Sequence, residues 1–127
     1  MLELFTIVAN KVGVNVSMLL AICTVESRLK NVNNFDDPRG GSHGVCQING
    51  KTAKMLVPHL DILALQQPSV NVKVAALYLK QLQKRYIFDE LTIAAYNTGS
   101  PKYRGDELIN QAYVDKVEAI RNTYDTN

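Results

Sequence analysis

The sequence predicts a mainly α (α+β) domain, about six helices with one short β segment near residues 43–49. Three observations carry that prediction. Apolar residues recur at three- and four-residue spacing through most of the chain, the period of a helix with one buried face. One glycine-bounded stretch, residues 42–50, alternates loosely instead. Strand–helix–strand alternation and internal repeats are missing from the pattern, which favours helices packed on helices over a parallel sheet.

The elements follow in order. Leu2, Phe5, Val8, Ala9 and Val12 form one helical stripe, and Gly13 supplies the stop. Ser17 is the expected cap of a second helix reaching about Leu29. Residues 30–41 turn polar, with Asp36, Asp37, Pro38 and paired glycines, and read as a loop. The extended segment comes next, with His43 expected as a loop residue at the rim of a cleft and given no chemistry. Thr52–Leu56 reads as a short helix ended near Pro58, and Asp61–Gln66 as one more turn. A strong helix capped by Ser69 or Asn71 runs to about Tyr86, with Ala75, Tyr78, Leu79 and Leu82 inside. Another spans Asp89 to about Tyr96, broken by Gly99 and Pro101. The last runs from about Glu107 to Tyr124, with Tyr113 and Val117 on its apolar side.

Composition excludes several classes. A chain of 127 residues, 46% hydrophobic, suits one ordinary domain, residues 1–127. At this size it buries about two-thirds of its unfolded surface without help from metal or disulfides. A formal charge of +2 is too small for a nucleic-acid footprint. The longest nearly apolar stretch, Val16–Val25, contains Ser17 and Thr24 and falls well short of the roughly 20 residues of a membrane span. Glu3 stands where a secretory leader would carry Lys or Arg, so no signal peptide is expected. That leaves a protein made in a cytoplasm or a domain cut from something longer. Cys23 and Cys46 allow one disulfide at most. With no sign of an oxidising compartment, two buried thiols are the expectation. His43 and His59, without paired cysteine spacing, make a poor zinc site, so no metal is expected.

One residue breaks the amphipathic rule. Leu19, Ile22, Cys23 and Glu26 fall on one helical stripe, so Glu26 shares a face with three apolar residues. Desolvation there raises a carboxyl pKa, and the helix C-terminus pushes the same way. A carboxylic acid that keeps its proton near neutral pH is what a general acid requires. On periodicity alone an exposed pair with Lys30, four residues on, is the competing and favoured reading.

The order of short motifs decides between them. Val25-Glu26-Ser27 closes a helix; Gly44-Val45-Cys46-Gln47-Ile48 follows, then Thr52-Ala53, Asn71, Tyr78-Leu79, Ala95-Tyr96-Asn97-Thr98-Gly99 and Tyr113-Val114. In that order and spacing, from about Ser17 to Val117, the chain resembles the catalytic domain of soluble lytic transglycosylases, relatives of goose-type lysozyme. The resemblance implies a lysozyme-like fold and a peptidoglycan-cleaving enzyme. It assigns Glu26 as the catalytic acid and base. Ser27, Gln47, Tyr96, Asn97 and Tyr113 become substrate-binding residues, and Gly44 and Cys46 part of the cleft wall. It implies no cofactor and no second catalytic carboxylate.

Two departures from the family wording stand out: Val45-Cys46 where Leu-Met is usual, and Gly41-Ser42 where Gly-Ala is usual. The Gly-Val-Cys-Gln-Ile wording looks more like compact versions carried by tailed bacteriophages. The implied partners are therefore peptidoglycan glycan strands and phage virion proteins, with action at the bacterial cell wall. Two alternatives stay open: a hydrolytic muramidase, with Asp36 or Asp37 holding a water, and a non-catalytic glycan-binding virion module.

Overall fold

The computed structural model describes residues 1–125. Its helices are α1 (Leu2–Val12), α2 (Val16–Ser27), α3 (Gly50–Leu56), α4 (Pro68–Arg85), α5 (Asp89–Thr98) and α6 (Gln111–Asp125), with a 3-10 turn at Ile62–Gln66. Strands β1 (Asn33–Asn34), β2 (Ser42–His43) and β3 (Ile48–Asn49) form an antiparallel sheet in chain order. A second hairpin pairs β4 (Tyr103–Arg104) with β5 (Glu107–Leu108). The mainly α expectation therefore holds, with more β structure than expected.

Helix α2 explains the arrangement. Every residue from Ser17 to Cys23 is buried, so this helix is apolar on all sides and must be surrounded. α1 and α6 pack against it, and α4 closes the core behind α1. Phe5, Met18, Leu19, Ile22, Leu79 and Ile93 are fully enclosed there. No helix among the described residues is long and apolar enough to cross a membrane.

Several local expectations are corrected. Asn15, not Ser17, caps α2: its side chain accepts the Met18 amide at 2.8 Å, and the Ser17 hydroxyl donates to that same oxygen. Gln67, not Ser69 or Asn71, precedes α4, whose first residue is Pro68, a position that needs no amide donor. The last helix starts at Gln111 because Gly105, at φ 65°, turns the chain into the second hairpin. His43 is no rim residue. It is fully buried, its Nε2 lies 2.9 Å from the Gly40 carbonyl, and Phe35 packs on its ring.

The cysteines are not free thiols. Cys23 and Cys46 are bonded to each other, their Cα atoms 4.3 Å apart. The compartment reasoning behind the thiol expectation says nothing about proximity, and proximity here is built by packing. Asn71 is fully buried and holds the segment after β2 against α4. Its Oδ1 accepts the Cys46 amide at 2.8 Å, and its Nδ2 donates to the carbonyls of His43 at 2.7 Å and Leu65 at 2.9 Å. Gly44, at φ 78°, is required at this point, since a Cβ there would run into the Asn71 amide.

Candidate active site

Glu26 is the penultimate residue of α2, and the helix ends immediately after it. Arg28 and Leu29 adopt left-handed backbone conformations, so Lys30 leaves the helical register. No ion pair joins Lys30 to Glu26 among the described residues. Glu26 instead stands half-buried at the floor of a cleft of about 280 Å³. The Tyr113 hydroxyl, from α6, donates to its Oε2 at 2.7 Å. Burial pushes the Glu26 pKa above the usual 4.5, while the Tyr113 hydrogen bond and the charge of Arg39 pull against that rise.

The cleft brings Glu26 together with Gln47, Tyr96 and Asn97, and with Tyr78, Arg39, Ser42 and Lys51. Gln47 sits at φ 51°, and its Nε2 donates to the carbonyls of Val32 at 2.7 Å and Gly44 at 2.9 Å. Its side chain thus braces the β2–β3 connection. Tyr96 is only 7% exposed, and its hydroxyl donates to the Cys46 carbonyl at 2.8 Å. Burial first, then the neighbouring Glu26 charge, raises the Tyr96 pKa far above its ordinary value, so it stays a neutral donor. Asn97 is exposed at the cleft edge, with its Oδ1 accepting from Asn110 at 3.0 Å.

Other residues assigned by resemblance lie behind this surface. Ser27 does not line the cleft; its hydroxyl donates to the Val45 carbonyl and ties α2 to the sheet connection. Tyr113 reaches the acid rather than the open cleft, and burial and the Glu26 charge hold its hydroxyl protonated. Gly44 and Cys46 are fully buried, packed against Asn71 and Cys23, so they support the wall from behind rather than forming it.

Sequence reasoning missed Arg39, Lys51 and the placement of Tyr78. Tyr78 sits in the apolar stripe of α4, where a tyrosine reads as core, yet it faces the cleft and tilts against Tyr96, ring centroids 5.2 Å apart. Arg39 was legible only as a loop cation. Asp37 grips it, with Oδ1 accepting the Arg39 amide at 2.9 Å and Oδ2 accepting Nη2 at 3.2 Å and the Ser42 hydroxyl at 2.7 Å. That grip holds the Asp37 carboxyl well below its usual pKa. Glu26 is the one carboxylate lining the cleft among the described residues.

The arrangement offers a half-buried carboxyl whose pKa is raised, a neutral tyrosine fixing that carboxyl, and an open channel with aromatic and amide walls. The family described as the transglycosylase SLT domain matches residues 3–117. Among solved structures, an inactive mutant of the lytic transglycosylase Slt from Pseudomonas aeruginosa superposes with a TM-score of 0.68 at 22% identity. That likeness covers 94% of this chain and 21% of the Slt chain, and it shows the shared lysozyme-like fold. No curated protein matches the chain significantly.

Proposed function

The chain belongs to the transglycosylase SLT domain family, and from that premise we propose that it is a peptidoglycan lytic transglycosylase with Glu26 as its single acid and base. Residues 1–127 then act as one catalytic domain. The bond cleaved is the β-1,4 link between N-acetylmuramic acid and N-acetylglucosamine. Protonated Glu26 gives its proton to the glycosidic oxygen as the bond breaks. The acetamido group of the substrate stabilises the cation, as in substrate-assisted glycosidases. Glu26, now a carboxylate, takes the proton from the muramic C6 hydroxyl, and that oxygen closes a 1,6-anhydro ring. Each cycle returns Glu26 to its acid form and consumes no water. Tyr113 keeps the carboxyl oriented through both transfers, and Gln47, Tyr78, Tyr96 and Asn97 shape the channel for the sugars.

The observation that carries this reading is Glu26, the one carboxylate lining the cleft among the described residues and raised in pKa by burial. A hydrolase of the inverting kind needs a second, free carboxylate to activate water. Asp37 is bound up by Arg39 and Ser42, and its depressed pKa makes it a weak base. The Gly-Val-Cys-Gln-Ile wording at residues 44–48 supports the finer reading of carriage by a bacteriophage virion.

Glu26→Gln tests the assignment. Turnover on purified sacculi should fall about a thousandfold, within the range of a lost general acid and base. The variant should also melt higher than the parent at neutral pH. Because the folded-state pKa lies above 4.5, stability falls as pH rises through that window, and the glutamine carries no such cost. Parent-like clearing by the variant would remove Glu26 from the mechanism.

A further inference from the structure

Cys46 is where the supports of the cleft wall meet. Its amide goes to Asn71, its carbonyl receives the Tyr96 hydroxyl at 2.8 Å, and its sulfur is bonded to Cys23. On either side of it, the Val45 carbonyl takes the Ser27 hydroxyl and Gln47 lines the cleft. Cys23 lies three residues before Glu26 on α2, so the two share one helical face. The bond therefore joins the helix that carries the acid to the segment that carries Gln47. The chain it closes, residues 24–45, holds Glu26, Arg39 and Ser42 of the cleft lining.

That position gives the opened bond a consequence at the acid. Both cysteines are fully buried, and their Cα atoms are 4.3 Å apart. Two thiols cannot remain at covalent distance, and a close-packed interior gives them little free volume to turn into. Reduction must therefore push α2 and the Cys46 segment apart by shifting backbone. The Ser27 and Tyr96 hydrogen bonds end on the carbonyls of Val45 and Cys46, so the same shift disturbs them.

We propose that the Cys23–Cys46 pair is a redox-set positioning element: the oxidised pair holds Glu26 and the Gln47 segment in catalytic register, and the reduced pair does not. The proposal rests on the lytic transglycosylase reading of that site. In the closing step the two thiols lose two electrons and two protons to an external disulfide, which leaves as two thiols. The closed wall then shields both sulfurs from solvent thiols, so the bond, once set, stays set. A reducing cytoplasm keeps such a pair open, and a periplasm or cell exterior lets it close, so activity follows the domain to the compartment of its substrate.

The test measures kcat and KM on solubilised peptidoglycan strands for two forms of the parent. One is oxidised; the other is reduced by dithiothreitol in denaturant and returned to buffer with dithiothreitol kept. Iodoacetamide labelling, read by mass, counts the free thiols in each sample. Reduction should lower kcat about tenfold and leave KM unchanged within about twofold. Oxidised glutathione should restore kcat. The reduced protein should still melt in one transition, about 10 °C lower. The double variant Cys23→Ala/Cys46→Ala should show one kcat, with or without dithiothreitol. Equal kcat in the oxidised and the fully labelled reduced protein overturns the proposal. So does a dithiothreitol response in the double variant, which would place the sensitive group elsewhere. A reduced protein with no melting transition also overturns it, since the bond would then serve folding alone. An oxidised parent inactive on the strands would instead overturn the transglycosylase reading itself.

Discussion

On one wall of the cleft, Glu26 stands half-buried against Tyr113 and Tyr96, on a helix bonded through Cys23 to Cys46. On the other, Arg39 and Lys51 stand in solvent, and the Arg39 loop is held by its own Asp37. The first wall gets its chemistry from burial: removing water raises the acid, and the Tyr113 hydroxyl keeps it in place. The second wall keeps its charges hydrated, with Arg39 paired to its own Asp37, so it can meet a polar substrate at small cost to the fold. Under the proposed mechanism the inner wall couples stability to catalysis, and the outer wall does not.

The sharpest break of that contrast is Asn71→Ala. It leaves the Cys46 amide and the carbonyls of His43 and Leu65 buried without their partner. The expected loss is about 3–5 kcal/mol, seen as a melting temperature lower by more than about 10 °C. A drop of under about 3 °C would mean that the inner wall does not depend on this hub.

Next comes Tyr113→Phe, which removes one hydroxyl from the acid. The Tyr113 hydrogen bond lowers the Glu26 pKa, so its loss lets burial raise that pKa further. In the proposed mechanism activity requires protonated Glu26, and the alkaline limb of the pH–kcat profile should therefore move to higher pH. The kcat at the optimum should fall about tenfold through lost positioning. A limb that stays in place or moves down contradicts the contact.

The smallest effect is expected from the outer wall. Asp37→Asn should shift the melting temperature by less than about 4 °C. Because the Asp37 pKa is depressed in the fold, its contribution is present above the usual 3.8 and lost as pH falls, so parent and variant should converge in acid. A large shift would place the outer loop within the cooperative core.

The helical frame was legible because its signals are local. The α1 stripe ends at Gly13, whose φ of 88° closes the helix, and the continuous apolar run of α2 marks a surrounded helix. The conflict at Glu26 was visible as a carboxylate on an apolar face, although periodicity alone favoured a surface pair with Lys30. What stayed hidden depends on contacts distant in sequence. Asn71 reads as a helix cap, and only the fold turns it inward onto three backbone groups. Glu107 reads as a first-turn acid, and the Gly105 turn makes it a strand residue instead. Tyr113 sits on an apolar stripe and gives no sign that its hydroxyl meets a residue 87 positions away. The disulfide was hidden for the same reason, since proximity of Cys23 and Cys46 is a product of packing.

The most direct test of Glu26 acting as both acid and base is mass spectrometry of the products released from purified sacculi. A single carboxyl that returns its proton by closing a ring yields 1,6-anhydro-muropeptides, each lighter by one water than the hydrolysed product. Exclusively reducing muramic ends would contradict this account and point to a water-admitting muramidase.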